Sequence, residues 1–184
     1  MEPTELALNM ADAPGGELDE RATFEQLLVR HQRLVLATAW RLLGNIEDAQ
    51  DAAQDVFLRL HKYRDRWDES RELAPWLYRA TVNVCQDLRR RRVEFALEAA
   101  DELSVAAQAD ETLDLETRKR LVREGLKTLP EKERAAVVLR DIEGLSTREV
   151  AEIMGSSEVT VRSQVCMARL KLKKYCDRAL RRRI

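Results

Sequence analysis

The sequence predicts an all-α chain of two small helical domains joined by an acidic linker. Three observations carry that prediction. Across the 184 residues, Ala, Leu, Glu, Arg and Val are abundant, while there are only six glycines and four prolines. Apolar residues recur at helical rather than alternating spacing through most of the chain. The net charge of -1 conceals a block pattern. Residues 1–20 carry six acids and no base, 21–93 fourteen bases and ten acids, 94–117 eight acids and no base, and 118–184 eighteen bases and nine acids. Two basic blocks parted by an acidic strip point to two modules that face a polyanion, joined by a segment that repels it.

Residues 1–20, with Pro14-Gly15-Gly16 and no durable period, read as a disordered acidic tail. From Thr23 a helical stripe runs through Phe24, Leu27, Leu34, Val35, Ala39 and Leu42, and Gly44 stands where a C-terminal cap belongs. Asn45 caps a second helix whose inner face is Ala49, Ala52, Ala53, Val56, Phe57 and Leu60. The segment "RDRWDESREL" breaks the pattern as a loop. Pro75 opens a third helix, with Trp76, Leu77, Ala80, Val84 and Leu88 as its stripe, ending in Arg89 to Arg92. Residues 94–117 are the acidic, alanine-rich linker. In residues 118–184 one helix leads to Pro130, which opens "EKERAAVVLRDI" up to Gly144. Ser146 and Glu149 form a capping box for a short helix ending at Met154-Gly155, and Ser157 caps the last helix.

A short capped helix, a glycine turn and a longer helix make a helix-turn-helix pattern. At about 100° per residue, Val161, Val165, Ala168 and Leu172 share one face, while Arg162, Ser163, Cys166 and Met167 point away from it. Arg169, Lys171, Lys173 and Lys174 flank that outward face and are available to phosphates. The competing reading is an amphipathic helix that packs in a bundle and solvates its basic side. On the second helix, Asp48, Asp51 and Asp55 form an acidic stripe with Gln54 beside them. It is either a solvated face or a docking face for a basic or polar protein partner. Around the third helix, Tyr63, Trp67, Trp76 and Tyr78 interleave with bases, as in surfaces that stack unpaired bases and hold the backbone with arginine. Trp76 is the one of these expected in the core.

Catalysis finds no support in these residues: a serine triad, a phosphate-cradling glycine loop and a zinc pattern are all missing from the sequence. No metal site or cofactor is expected. Cys85, Cys166 and Cys176 lack metal-ligand spacing and read as reduced thiols. No apolar run is long enough to span a bilayer and the N-terminus lacks a signal pattern, so the expectation is a cytoplasmic chain without membrane insertion.

In their order these parts resemble the extracytoplasmic-function (ECF) branch of the bacterial sigma-70 family. "DAQDAAQDVFLRL" and "APWLYRATVNVCQDLRRRR" are similar to sigma domain 2, and "LKTLPEKERAAVVLRDIEGLSTREVAEIMGSSEVTVRS" to sigma domain 4. The resemblance implies a dissociable subunit that binds core RNA polymerase, directs it to promoter DNA and helps open the -10 region. It implies core docking through Asp51, Gln54, Asp55, Phe57 and Leu58 onto a coiled coil of the largest subunit, with the flap region as a second polymerase contact. It implies -10 recognition by Trp67, Asp68, Glu69, Ser70 and Asn83, with Arg79, Arg89, Arg90, Arg91 and Arg92 tracking phosphates. For the -35 element it implies Arg148, Thr160, Arg162, Ser163, Cys166, Met167 and Arg169. Control by an anti-sigma factor is part of the same implication, because no sensory domain is appended.

Some residues depart from the family pattern. The loop "WDESREL" is more charged than the family's small-residue loop. Val159 replaces a common glycine, and Gln164, Cys166 and Met167 stand where arginine, histidine or aromatic residues are frequent. Fewer bidentate arginine contacts imply weaker or different -35 readout. Two other functions fit parts of the pattern: a polymerase-independent helix-turn-helix regulator, and a sigma mimic that sequesters an anti-sigma factor.

Overall fold

The computed structural model describes residues 15–63, 72–98 and 115–181. Every regular element among them is helical: α1 (Gly15–Leu43), α2 (Ile46–Tyr63), α3 (Leu73–Glu98), α4 (Leu115–Lys127), α5 (Glu131–Val137), α6 (Thr147–Met154) and α7 (Glu158–Arg181). Contacts divide the chain after Arg33, and the second unit, Leu34–Ile184, holds the cores of both helical modules.

The helix boundaries differ from the sequence expectation in one direction. α1 starts at Gly15, within residues expected to be a tail, and α3 runs past Arg92 to Glu98, into the expected linker. α4 likewise begins at Leu115, before Arg118. The cause is local: "VEFALE" is built from good helix formers and holds no breaker, so its acidic charge does not stop the helix. Pro75 lies in the first turn of α3, where a missing N–H leaves no intrahelical bond unmade.

Caps set the other ends. Gly44, at φ +76°, donates its N–H to the Trp40 carbonyl at 2.8 Å and closes α1. Only glycine adopts that left-handed geometry cheaply. Asn45 Oδ1 accepts the Glu47 N–H at 2.9 Å and starts α2. Between α5 and Gly144 the expected single helix widens into a π-helical turn, Val138–Ile142. There the Glu143 N–H reaches the Val138 carbonyl at 2.9 Å and the Leu145 N–H the Leu139 carbonyl at 3.1 Å.

The first module buries Val35, Thr38, Ala39 and Leu42 of α1 with Ala49, Ala52, Val56 and Leu60 of α2 and Leu77, Ala80 and Val84 of α3. The alanines of α2 let its backbone approach its neighbours closely. In the second module Leu126, Ala136, Val138, Leu139, Val150, Ala151, Ile153, Val161, Val165 and Ala168 are buried. The two modules also pack on each other. Contacts join α3 to α6, and α3 buries Tyr78, Thr81, Val82 and Cys85 besides its expected stripe.

Candidate nucleic-acid interface

The helix-turn-helix forms as its local sequence dictates. Glu149 donates its backbone N–H to Ser146 Oγ at 3.2 Å, and Ser146 returns its own N–H to Glu149 Oε2 at 2.7 Å. The Ser146 hydroxyl, and then its backbone N–H, hold the Glu149 carboxyl below its ordinary range by hydrogen bonding to it. Gly155, at φ +59°, ends α6, and Ser157 Oγ accepts the Thr160 N–H at 3.1 Å to begin α7. Val161, Val165 and Ala168 pack inward, and Ala151 lies buried in α6. Thr160, Arg162, Ser163, Cys166 and Met167 are exposed together on the opposite face, with Arg148 exposed on α6.

The cations around that face are not equally available. Arg169 holds Asp141 bidentately at 2.7 and 2.8 Å, and Lys171 pairs with Glu133 at 2.7 Å. Arg162 pairs with Glu158 one turn earlier at 2.7 Å, and Arg148 with Glu152 at 3.1 Å. Lys173 and Lys174 remain exposed. A groove of about 550 Å³ beside the helix is lined by Arg140, Arg162, Arg169 and Lys173 together with Val165 and Leu170. Arg140 carries no motif signal in the sequence: it stands in the π-helical turn six residues before the Ser146 cap, outside the helix-turn-helix pattern, and its Nη1 donates to the Leu145 carbonyl at 3.1 Å.

On α2, Asp51, Gln54 and Asp55 are exposed together, Leu58 is 53% exposed beside them, and Phe57 is half-buried. Asp48 departs from the stripe expected of it. Its side chain is largely covered and pairs with the guanidinium of Arg92 on α3.

On α3, Asn83, Arg90, Arg91 and Arg92 are exposed. Arg89 differs from its neighbours. It is half-buried, borders a small cavity with Leu42, Val82, Cys85, Glu131 and Arg134, and its Nη1 has no hydrogen-bond partner. This places it against the second module rather than on an open cationic face. Trp76 is half-buried, edge-on to Tyr63 with ring centroids 6.4 Å apart, so it borders the core rather than filling it. Trp67, Asp68, Glu69 and Ser70 lie outside the described residues.

Glu143, Arg134 and Arg123, which the sequence did not flag, organise the contact between modules together with Arg79. Glu143 Oε1 accepts from Thr38 Oγ1 at 3.1 Å and Arg41 Nη1 at 2.5 Å, and Oε2 from the Tyr78 hydroxyl at 3.2 Å. Burial, with the Glu143 charge beside it, pushes the Tyr78 hydroxyl up to about 12. Arg134, only 2% exposed, donates to the carbonyls of Leu42, Lys127 and Leu129. Arg79 donates to the Ile153 carbonyl at 3.3 Å and also to the Glu152 carbonyl, at the C-terminal end of α6. Arg123 lies 4.7 Å over the Trp40 ring, adding a cation–π contact. Among the described residues, no group of three or more metal-ligating side chains converges and no helix is long and apolar enough to cross a membrane.

This pair of modules, one helical bundle and one helix-turn-helix, defines a sigma-70-type protein. Residues 27–94 match the family model Sigma-70 region 2, and residues 119–172 match Sigma-70, region 4. The chain is 36% identical over 154 residues to the ECF RNA polymerase sigma factor SigM of Mycobacterium tuberculosis, covering 83% of this chain and 76% of that one. It is 34% identical to SigE of Mycolicibacterium smegmatis over 179 residues, 95% of this chain and 68% of the relative. The fold is similar to that of the sigma factor RpoE from Bartonella quintana, solved with the anti-sigma factor NepR (TM-score 0.68, 23% identity, 84% of this chain and 97% of that one). It is also similar to CnrH, solved with the cytosolic domain of CnrY (TM-score 0.61, 29% identity, 85% and 89% covered). The chain belongs to the ECF RNA polymerase sigma factors.

Proposed function

We propose that this chain binds core RNA polymerase, directs it to specific promoters and helps open the -10 region, without catalysing a reaction of its own. Residues 21–93 dock on the coiled coil of the largest subunit and read the -10 element, and residues 118–184 read the -35 element and meet the flap region. The observation that carries this reading is the joint exposure of Asp51, Gln54 and Asp55 on the module matched to region 2, in one chain with a capped helix-turn-helix. Exposed carboxylates fit a basic or polar protein surface better than a polyanion, so polymerase is assigned to α2 and DNA to the arginines of α3 and the outer face of α7. Trp67, Asp68, Glu69, Ser70 and Asn83 would hold an unpaired base by stacking and short polar contacts.

An anti-sigma protein is the proposed regulator. Support comes from CnrH, whose solved form is a complex with the cytosolic domain of another protein. The test is transcription from genomic fragments with the purified chain and core polymerase. The expected result is initiation at a set of starts sharing upstream sequence. The double variant Asp51→Lys, Asp55→Lys should lose core binding while keeping its helical content. No binding of the wild-type chain to core at low micromolar concentration overturns the reading, and unchanged binding by the double variant overturns the docking face.

A further inference from the structure

The reading positions assigned above account for only part of what α7 shows to solvent. Val159 is 71% exposed, Leu170 49% and Met167 44%, and Cys166 is exposed between them. Solitary apolar residues on a surface are ordinary, but these are aligned. At about 100° per residue, Val159, Ser163, Cys166, Met167 and Leu170 fall within an arc of roughly 100°. That arc is centred opposite Val161, Val165 and Ala168, which are buried. The centre of the outer face is therefore mostly apolar. Val159 is the second residue of α7, and a branched side chain there adds no helix propensity. With 71% of it exposed, packing within the chain does not account for it either.

Polar groups border the strip and are engaged inside the protein. Arg162 pairs with Glu158 and Arg169 with Asp141, and the Thr160 hydroxyl lies 2.8 Å from Ser157 Oγ. Arg162, Arg169 and Lys173 flank the strip on one side, where they line a groove with Cys166 and Leu170. A cationic flank beside an apolar strip fits a polyanion that also presents apolar groups. The major groove of DNA presents one such group: among the four bases only thymine carries it, as the C5-methyl. From Val159 to Met167 the helix rises ~12 Å at ~1.5 Å per residue. That covers about three to four base-pair steps of ~3.4 Å. These residues lie in the first three turns of α7, the part of a recognition helix that meets base edges.

We propose, resting on the promoter-binding function above, that Val159, Cys166 and Met167 form a methyl-reading strip, and that this chain selects its -35 element through thymine C5-methyl groups. Val159, outside the reading positions that the resemblance implies, is then a specificity-determining residue. The methyl lies on the thymine side of the pair, so A·T and T·A differ at the strip, which fixes the strand as well as the base. Arg162 contributes its guanidinium from the flank, and the strip decides which neighbouring pairs it accepts.

The test is run-off transcription by the full chain with core polymerase, on a promoter mapped by the transcription experiment above. The thymines of the -35 element are replaced one at a time by deoxyuridine, which removes only the methyl. Matched templates carry 5-bromodeoxyuridine, whose bromine fills the space of the methyl, or carry deoxyuridine only in the spacer between the two elements. At least one thymine of the element should lose about threefold in initiation on conversion to uracil, as expected for one buried methyl. Bromine at that position should restore the rate, and uracil in the spacer should leave it unchanged.

Val159→Ser, Cys166→Ser and Met167→Gln assign the contacts. Each should bring the thymine-to-uracil ratio close to one at its own position, whereas a variant that only damages the fold lowers both templates together and keeps the ratio. Initiation that is insensitive to uracil throughout the element overturns the strip and leaves the function standing, as does a mapped -35 element with no thymine on either strand. A ratio that survives in all three variants overturns the assignment to these residues. Loss of initiation by Val159→Ser on both templates, with the ratio kept, makes the strip a protein-docking surface and overturns the reading too. No initiation from any promoter overturns the proposed function, and this inference with it.

Discussion

Replacing Arg134 with methionine should cost about 3 kcal/mol of stability, a figure that follows from its bonding. The side chain is 2% exposed and gives its guanidinium to three carbonyls, at 2.7 Å to Leu42, 2.6 Å to Lys127 and 2.9 Å to Leu129. Leu42 lies in the last turn of α1, Lys127 is the last residue of α4, and Leu129 is in the turn after it. Carbonyls at helix C-termini lack intrahelical partners and carry partial negative charge, which a buried cation satisfies. Three hydrogen bonds from a charged donor at roughly 1.5–3 kcal/mol each give a gross loss of ~4.5–9 kcal/mol. Methionine keeps most of the apolar stem, and removing the buried charge returns several kcal/mol of desolvation cost. The remainder is about 3 kcal/mol, or roughly 6–12 °C in Tm for a chain of this size. Urea unfolding followed by far-ultraviolet circular dichroism measures it. Lysine at the same position should lose about half as much, since one ammonium does not reach all three carbonyls. A loss below about 1 kcal/mol for Arg134→Met would refute the reasoning, because the guanidinium would then not be satisfying those carbonyls.

Two further outcomes follow from the helix-turn-helix. Ser146→Ala removes one half of the capping box and should cost about 1 kcal/mol, visible as a lower urea midpoint with an unchanged slope; an unchanged midpoint would show that the cap seen at α6 contributes nothing. Arg162→Ala should cost more promoter activity than Met167→Ala, on the order of tenfold against less than threefold, since a guanidinium offers bidentate contacts and a thioether mainly apolar ones. Run-off transcription on a mapped promoter measures both, and the reverse order would mean that α7 presents a different face to the groove.

The parts of the site that are legible in the sequence are those whose determinants lie within about one helical turn. Ser146 with Glu149, Gly155 and Ser157 specify the ends of α6 and α7 through bonds spanning a few residues, and the structure contains those bonds. The buried face of α7 and the exposure of Asp51, Gln54 and Asp55 follow from periodicity alone. Asp48 escapes that logic because its partner Arg92 is 44 residues away, and a carboxylate on a polar stripe gives no sign that it is already paired. Glu143 escapes it for the same reason, with partners 65, 102 and 105 residues distant. Arg134 reads as one more cation in a basic block, though its burial is that of a core residue.

One signal of the packed modules is nonetheless present in the sequence of α3. A helix packed on one side needs a single apolar stripe, about 100° wide or somewhat more. At about 100° per residue, Leu77, Tyr78, Ala80, Thr81, Val82, Val84 and Cys85 span an arc of roughly 200°, about twice the width of a single stripe, and all seven are buried. Nearly continuous small and apolar residues of this kind mean a helix enclosed on more than one side, and α1 and α2 alone do not account for that. The missing cover is the second module, as the buried Tyr78 hydroxyl bonded to Glu143 indicates. The same excess of apolar residues on α3 explains why the modules close at all. A first module standing alone would expose Val82 and Cys85 to water, and at ~25 cal/mol per Å² of apolar surface that exposure favours the packed arrangement.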